Sequence, residues 1–295
     1  MRVSAPPYPF VTGVSRRQLL AGAAALCLAP PPVLAATGEV RFGLTPVFLD
    51  SDIQLLATLE RYLSERMERS VTLIKKRTYQ EITSMLLSGQ LDAAWICGFP
   101  YVQYRDRLAL LAVPLYNGRP EYQSYVIAGE RSTATAFEDL RGTSHAFSDP
   151  NSNSGFLVTR ALLARMDETP ETFFSSTFFT YGHRNVIRAV SSGLAQCGSV
   201  DGYVWDVMDS TEHDMVVRTH VVRKSDWYGF PPIACTRGAR GGATARAIAA
   251  ALFAMPEDPV GRNILATLHL DGFAPGDDAL FDGIARNYAL VRAQS

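Results

Sequence analysis

Short apolar strand-like runs alternate with amphipathic helical stretches from residue 40 onward, and this alternation restricts the chain to sheets threaded by crossover helices. Val40 to Leu44 reads as a strand, and Asp52 to Met67 as a helix with Ile53, Leu56, Leu59 and Leu63 on one face. Val71 to Ile74 is strand-like, Tyr79 to Ser88 is helical with Ile82, Met85 and Leu86 inward, and Gly89 supplies the stop. Leu91 to Ile96 is then a buried strand. Such units predict parallel α/β sheets with right-handed crossovers.

A second series follows the strand Tyr122 to Ala128. It runs through a short helix at Phe137 to Leu140, a strand at His145-Ala146-Phe147, a helix from Ser154 to Met166 and a strand around Phe178 to Thr180. A helix from His183 to Ser192 and strands at Cys197 to Val200 and Met215 to Val222 complete it. Pro231-Pro232 interrupts the pattern, and helical stretches 243 to 254, 259 to 269 and 278 to 293 end the chain. The layout predicts one lobe from residues 36–122 and 224–295, with a second, 123–223, inserted into it. A ligand would sit in the cleft between them, where strand C-termini and helix N-termini converge.

The first 35 residues read as a targeting segment. Ser15-Arg16-Arg17-Gln18-Leu19-Leu20 matches a twin-arginine signature, followed by an Ala-rich stretch from Ala21 to Ala29 that is too short to span a bilayer comfortably. Pro30-Pro31-Pro32 breaks any helix, and Val33-Leu34-Ala35 offers residues a signal peptidase reads. The expectation is therefore export to the periplasm by the twin-arginine route, with no stable membrane span after cleavage. With 28 basic and 29 acidic residues, the chain has no long-range pull toward nucleic acid or anionic lipid. Any attraction for an anion must be local.

That local attraction has one strong candidate. Ser148-Asp149-Pro150-Asn151-Ser152-Asn153-Ser154-Gly155 places turn formers and capping side chains between a strand and an apolar-periodic helix. The first N–H groups of a helix lack intrahelical partners, and its aligned dipoles put partial positive charge there. With the hydroxyls of Ser152 and Ser154, such a terminus surrounds a tetrahedral oxyanion without Lys or Arg. Composition alone leaves an ordinary capped helix equally open.

Asp149-Pro150-Asn151-Ser152-Asn153-Ser154-Gly155 resembles the D-P-x-S-x-S-G signature of the phosphonate, phosphite and phosphate solute-binding proteins of ABC transporters. Asp92-Ala93-Ala94-Trp95 with Gly98, Pro100 and Tyr101, then Tyr122 with Ser124, and Gly182-His183 are similar to further segments of that family in the same order. The resemblance implies a two-lobed periplasmic-binding-protein type II fold, each lobe a mostly parallel sheet flanked by helices. It implies a small oxyanion held by Ser152, Asn153 and Ser154, with Tyr122 and His183 donating from the cleft walls. The partner would be an ABC transporter permease, with a membrane sensor kinase as the alternative.

Asn153 replaces the family's middle Thr. Tyr203 and Pro231 stand where aminoalkylphosphonate binders place carboxylates, so 2-aminoethylphosphonate is expected to be a poor ligand unless Asp201, two residues away, supplies the charge. Cys97, at a strand C-terminus facing the cleft, is a candidate soft-ligand contact of the kind arsenite-binding sensors use, although a free Cys is more commonly a small buried hydrophobe. No nucleophile elbow, phosphate-binding Walker loop or zinc-ligand spacing occurs, so the expectation is a binding protein without enzymatic activity, metal or cofactor.

Overall fold

The computed structural model describes residues 38–45 and 53–294. The segment expected to be a targeting signal, with its expected cleavage site, and Asp52 lie outside the described residues. The strands are β1 (Val40–Leu44), β2 (Val71–Lys75), β3 (Ala93–Trp95), β4 (Leu108–Leu115), β5 (Glu121–Gly129), β6 (Ser144–Phe147), β7 (Ser176–Phe179), β8 (Cys197–Asp201), β9 (Thr219–Gly229), β10 (Ile233–Thr236) and β11 (Gly272–Ala274). They form two sheets, ordered β11-β4-β10-β3-β1-β2 and β7-β6-β8-β5-β9.

Both sheets are mixed. The expected parallel pairing holds for β1 with β2 and β3, and for β6 with β7 and β8. In the first sheet, helices Ile53–Met67 and Tyr79–Leu87 carry the chain back between the parallel strands. Elsewhere the pairing is antiparallel: β10 lies against β3 and β4, β11 against β4, and β5 against β8 and β9. The mostly parallel sheets expected from sequence are thus corrected, because the segment after Pro232 returns two antiparallel strands to the first sheet rather than helices alone.

A second correction concerns Met215 to Val222. Met215 and Val216 belong to the short helix His213–Val216, and the strand begins only at Thr219. Burial of Val216 under neighbouring helices, not strand pairing, accounts for its apolar character.

The chain crosses from the first sheet to the second between β4 and β5 and returns between β9 and β10. The two crossings run side by side: Glu121 pairs with Gly229, Tyr122 pairs with Tyr228, and Phe230 N–H donates to Pro120 O at 2.9 Å. Residues 122 and 224 both fall within strands of the second sheet. The C-terminal helix Asp282–Ala293 packs against helices Gly98–Gln103 and Val158–Ala164. Its Asn287 accepts from Arg165 at 2.8 Å and donates to the Tyr228 hydroxyl at 2.9 Å. Among the described residues, no helix is long and apolar enough to cross a membrane.

Candidate functional site

The segment after β6 turns on Asp149, whose Oδ1 accepts from Asn151 N–H at 2.7 Å in an Asx-type turn. Ser152 is the N-cap of the next helix, and its hydroxyl oxygen accepts from Gly155 N–H at 3.0 Å. That uses the oxygen only, so the hydroxyl proton remains to be donated to a ligand. The first turn, Asn153–Leu157, is a π turn, with Leu157 N–H donating to Ser152 O at 3.0 Å, before the helix tightens over Val158–Ala164. Wide turns of this kind bring more backbone to bear on one point and recur at functional sites.

The close packing beneath this turn explains Gly155. A Cβ there would lie 1.8 Å from Ser148 Oγ and 3.0 Å from the His183 ring. Any other residue would push the turn off its bed.

Two phenols face the turn in matching ways. Asn153 Nδ2 donates to the Tyr122 hydroxyl oxygen at 3.0 Å, which leaves the Tyr122 proton to donate. On the opposite wall, Tyr79 begins helix Tyr79–Leu87 behind a capping box made by Thr78 and Glu81. His183 Nδ1 accepts from Asp201 N–H at 3.0 Å, so its Nε2 carries the ring proton and donates to the Tyr79 hydroxyl at 3.2 Å. Tyr79 therefore also keeps its own proton for another acceptor.

Burial sets the protonation of these groups. It pushes both phenols well above their usual range, so they remain neutral donors, and pushes the His183 imidazole down to about 3. Asp149 is raised by the same cause, against the pull of its backbone hydrogen bonds. Asp201, fully buried at the end of β8, caps helix Gly202–Thr211 through Oδ1 to Tyr203 N–H at 2.9 Å. Three buried polar atoms here have no protein partner: Ser148 Oγ, Asn153 Oδ1 and Asp201 Oδ2. The described ion pairs involve none of these residues. The site offers hydroxyl and amide donors without a formal positive charge.

Cys97 closes the site from the first sheet. Its Sγ accepts from Asn153 N–H at 3.2 Å, and burial pushes the thiol up to about 12. Tyr79 N–H donates to Asp149 Oδ2 at 3.3 Å, a second link between elements of the two sheets.

The structure thus gathers Tyr122, Ser152, Asn153, Ser154, Cys97 and His183 at one place. His183 faces Tyr79 and Asp201, with both ring nitrogens engaged. Tyr203 stands further back, its hydroxyl on Leu268 O and its ring edge-on to Phe230 and Tyr116, while Pro231 O accepts from Trp95 Nε1 at 2.9 Å. Sequence reasoning missed Tyr79, although the Thr78-x-x-Glu81 box marks the helix start that positions it. It named Asp201 only as a neighbour of Tyr203.

A model of the ABC transporter phosphonate periplasmic substrate-binding protein family matches residues 42–281. The chain belongs to that family. Its fold is that of the family's solved members and of type II periplasmic binding proteins more widely. A binding-protein component of an ABC phosphonate transporter from Pseudomonas aeruginosa superposes with a TM-score of 0.79 at 18% identity, covering 88% of each chain. PhnD1 from Prochlorococcus marinus, in complex with methylphosphonate, gives 0.76 at 15% identity over 86% of this chain and 98% of its own. An alkanesulfonate-binding protein from Xanthomonas axonopodis pv. citri, bound to MOPS, gives 0.60 at 13% identity over 88% and 94%. The Asn153 amide ties the first turn of the helix to Tyr122, a bond that the shorter Thr side chain would not reach in the same way.

Proposed function

We propose that the chain captures a small phosphonate-like oxyanion in the periplasm and presents it to an ABC permease. The observation that carries this reading is the gathering of the Tyr79, Tyr122 and Ser152 hydroxyls about a helix start, with the Ser154 side chain against Tyr122 and no Lys or Arg among their described partners. A tetrahedral anion accepts several hydrogen bonds at once, and the helix terminus adds its partial positive charge. The two sheets act as the cores of two lobes, and the paired crossings at Tyr122 and Tyr228 serve as the hinge about which they close. Export follows the twin-arginine route. Catalysis has no part in this reading, because burial holds the Tyr79 and Tyr122 hydroxyls in their protonated, non-nucleophilic form.

Cys97 separates the phosphonate reading from thiol coordination. A thiol pushed up to about 12 stays protonated at neutral pH and serves here as a neutral acceptor for Asn153 N–H. The Cys97→Ser variant is expected to keep its response to methylphosphonate within about threefold, because Ser also accepts one neutral hydrogen bond. A thermal-shift panel of methylphosphonate, phosphite, phosphate and arsenite tests the reading. A phosphonate or phosphite present at about 100 times its Kd should stabilise the protein by roughly 2.7 kcal/mol. A shift with arsenite alone, lost in Cys97→Ser, would replace the phosphonate reading with thiol coordination.

A further inference from the structure

Asp201 Oδ2 is an acceptor in an anion site, fully buried and without a protein partner. The residue is held in place: its backbone N–H donates to His183 Nδ1, and its Oδ1 accepts from the helix it caps. Its charge bears on the Tyr79 and Tyr122 hydroxyls and on the Cys97 thiol. An anion that takes hydrogen bonds from those phenols therefore lies near Asp201 as well. Two acceptors of like charge in a buried site repel unless a proton lies between them.

We propose that Asp201 makes this cleft a one-proton site, in which its Oδ2 and one oxygen of the bound anion share a single proton. This rests on the phosphonate reading and narrows its ligand class. At neutral pH Asp201 already carries that proton; a phosphonate, phosphite or phosphate monoanion releases its own P–OH proton on binding, and its oxygen is basic enough to share the one on Oδ2. A sulfonate of the same shape is a far weaker base and accepts only a weak hydrogen bond from Asp201.

The surroundings agree. The titratable groups that bear on or contact Asp201 are Tyr79, Cys97, Tyr122, His183, Tyr203 and Asp206. Asp149 acts on the same phenol and thiol, Tyr79 and Cys97. None of these is a cation at neutral pH, His183 being held neutral by burial. The same burial pushes the Asp201 carboxyl up to about 8, so it accepts a proton readily.

Calorimetric titration of methylphosphonate and methanesulfonate, on the wild type and on Asp201→Asn, tests the proposal. Asn keeps an Oδ1 acceptor for the helix cap and presents a permanent N–H where Oδ2 stood. The wild type should prefer methylphosphonate by about tenfold or more near neutral pH, and its affinity should fall by about tenfold per pH unit above roughly pH 8. In Asp201→Asn the preference should narrow to about threefold and the alkaline decline should vanish. An unchanged slope, or an unchanged ratio, overturns the proposal alone. So does 2-aminoethylphosphonate binding tighter than methylphosphonate and losing that advantage in the variant, which would put an ammonium on Oδ2. A folded wild type that binds neither anion overturns the phosphonate reading along with it.

Discussion

Gly155→Ala should abolish oxyanion binding, weakening methylphosphonate affinity by about a hundredfold or more while leaving the chain folded. The added Cβ would sit 1.8 Å from Ser148 Oγ and 2.7 Å from Ser148 Cβ, far inside contact distance. Ser148 cannot yield easily, since it is fully buried and its N–H donates to Gly155 O at 3.2 Å. The turn must therefore lift, which stretches the Gly155 N–H bond to the Ser152 hydroxyl and swings Ser152 and Asn153 away from Tyr122. Overpacking of this kind costs about 1–3 kcal/mol of stability. Displacement by a fraction of an ångström is enough to break a preorganised hydrogen-bond array. Titration calorimetry paired with thermal unfolding separates the two effects. Affinity within about threefold of wild type would show that the turn is not the anion contact.

The ligand-free protein should be most stable between about pH 6 and pH 7 and lose stability on both sides. His145 and His183 are fully buried and pushed down to about 3, while in the unfolded chain both protonate near the usual imidazole value. Below that value the unfolded state binds more protons, so each His removes about 1.4 kcal/mol per pH unit as the pH falls toward 3. Asp201 works in the opposite sense. Its carboxyl, raised to about 8, is protonated in the native state and ionised in the unfolded one between about pH 4 and pH 8, so it adds stability on acidification and removes it as the pH rises.

On the acid side the two His oppose Asp201, and Asp149 and Asp206, also raised by burial, act in the same sense as Asp201, so the net loss is at most about 1.4 kcal/mol per pH unit. On the alkaline side Asp201 leads, with a loss of similar slope up to about pH 8. Urea unfolding across pH should show this dome. His145→Gln should flatten the acid limb and Asp201→Asn the alkaline one. His145 is the cleaner probe, because it lies outside the anion site, between Cys197 Sγ at 3.1 Å and Ser199 Oγ at 2.8 Å. An acid limb unchanged in His145→Gln would contradict the assignment.

The helices and strands whose partners lie close in sequence were legible in it. The β1-helix-β2-helix-β3 run follows local periodicity, and the turn proposed to hold the oxyanion announces itself through Asp149, Ser152 and Gly155. The strands β4, β10 and β11 were not. Leu108–Leu115 is apolar almost throughout, so it shows no alternation, and its neighbours β10 and β11 lie more than a hundred residues away. Helix Gly202–Thr211 hides behind β-branched and aromatic residues, though its Asp201 cap was in plain view. The site divides in the same way. Ser152 to Ser154 could be read from one segment, whereas Tyr79 joins them through contacts with Asp149 and His183, 70 and 104 residues away, which no local pattern carries. Nor could spacing show that His183 spends its ring nitrogens on Tyr79 and Asp201.

The most direct test of the proposed oxyanion site is isothermal titration of methylphosphonate into the wild-type protein and into Ser152→Ala. The Ala variant loses both the cap to Gly155 N–H and the hydroxyl proton offered to the ligand. We expect one molecule to bind the wild type, and the variant to bind at least about tenfold more weakly, the loss of one or two hydrogen bonds to a charged group. Equal binding by the two proteins, or none by a folded wild type, would contradict the account.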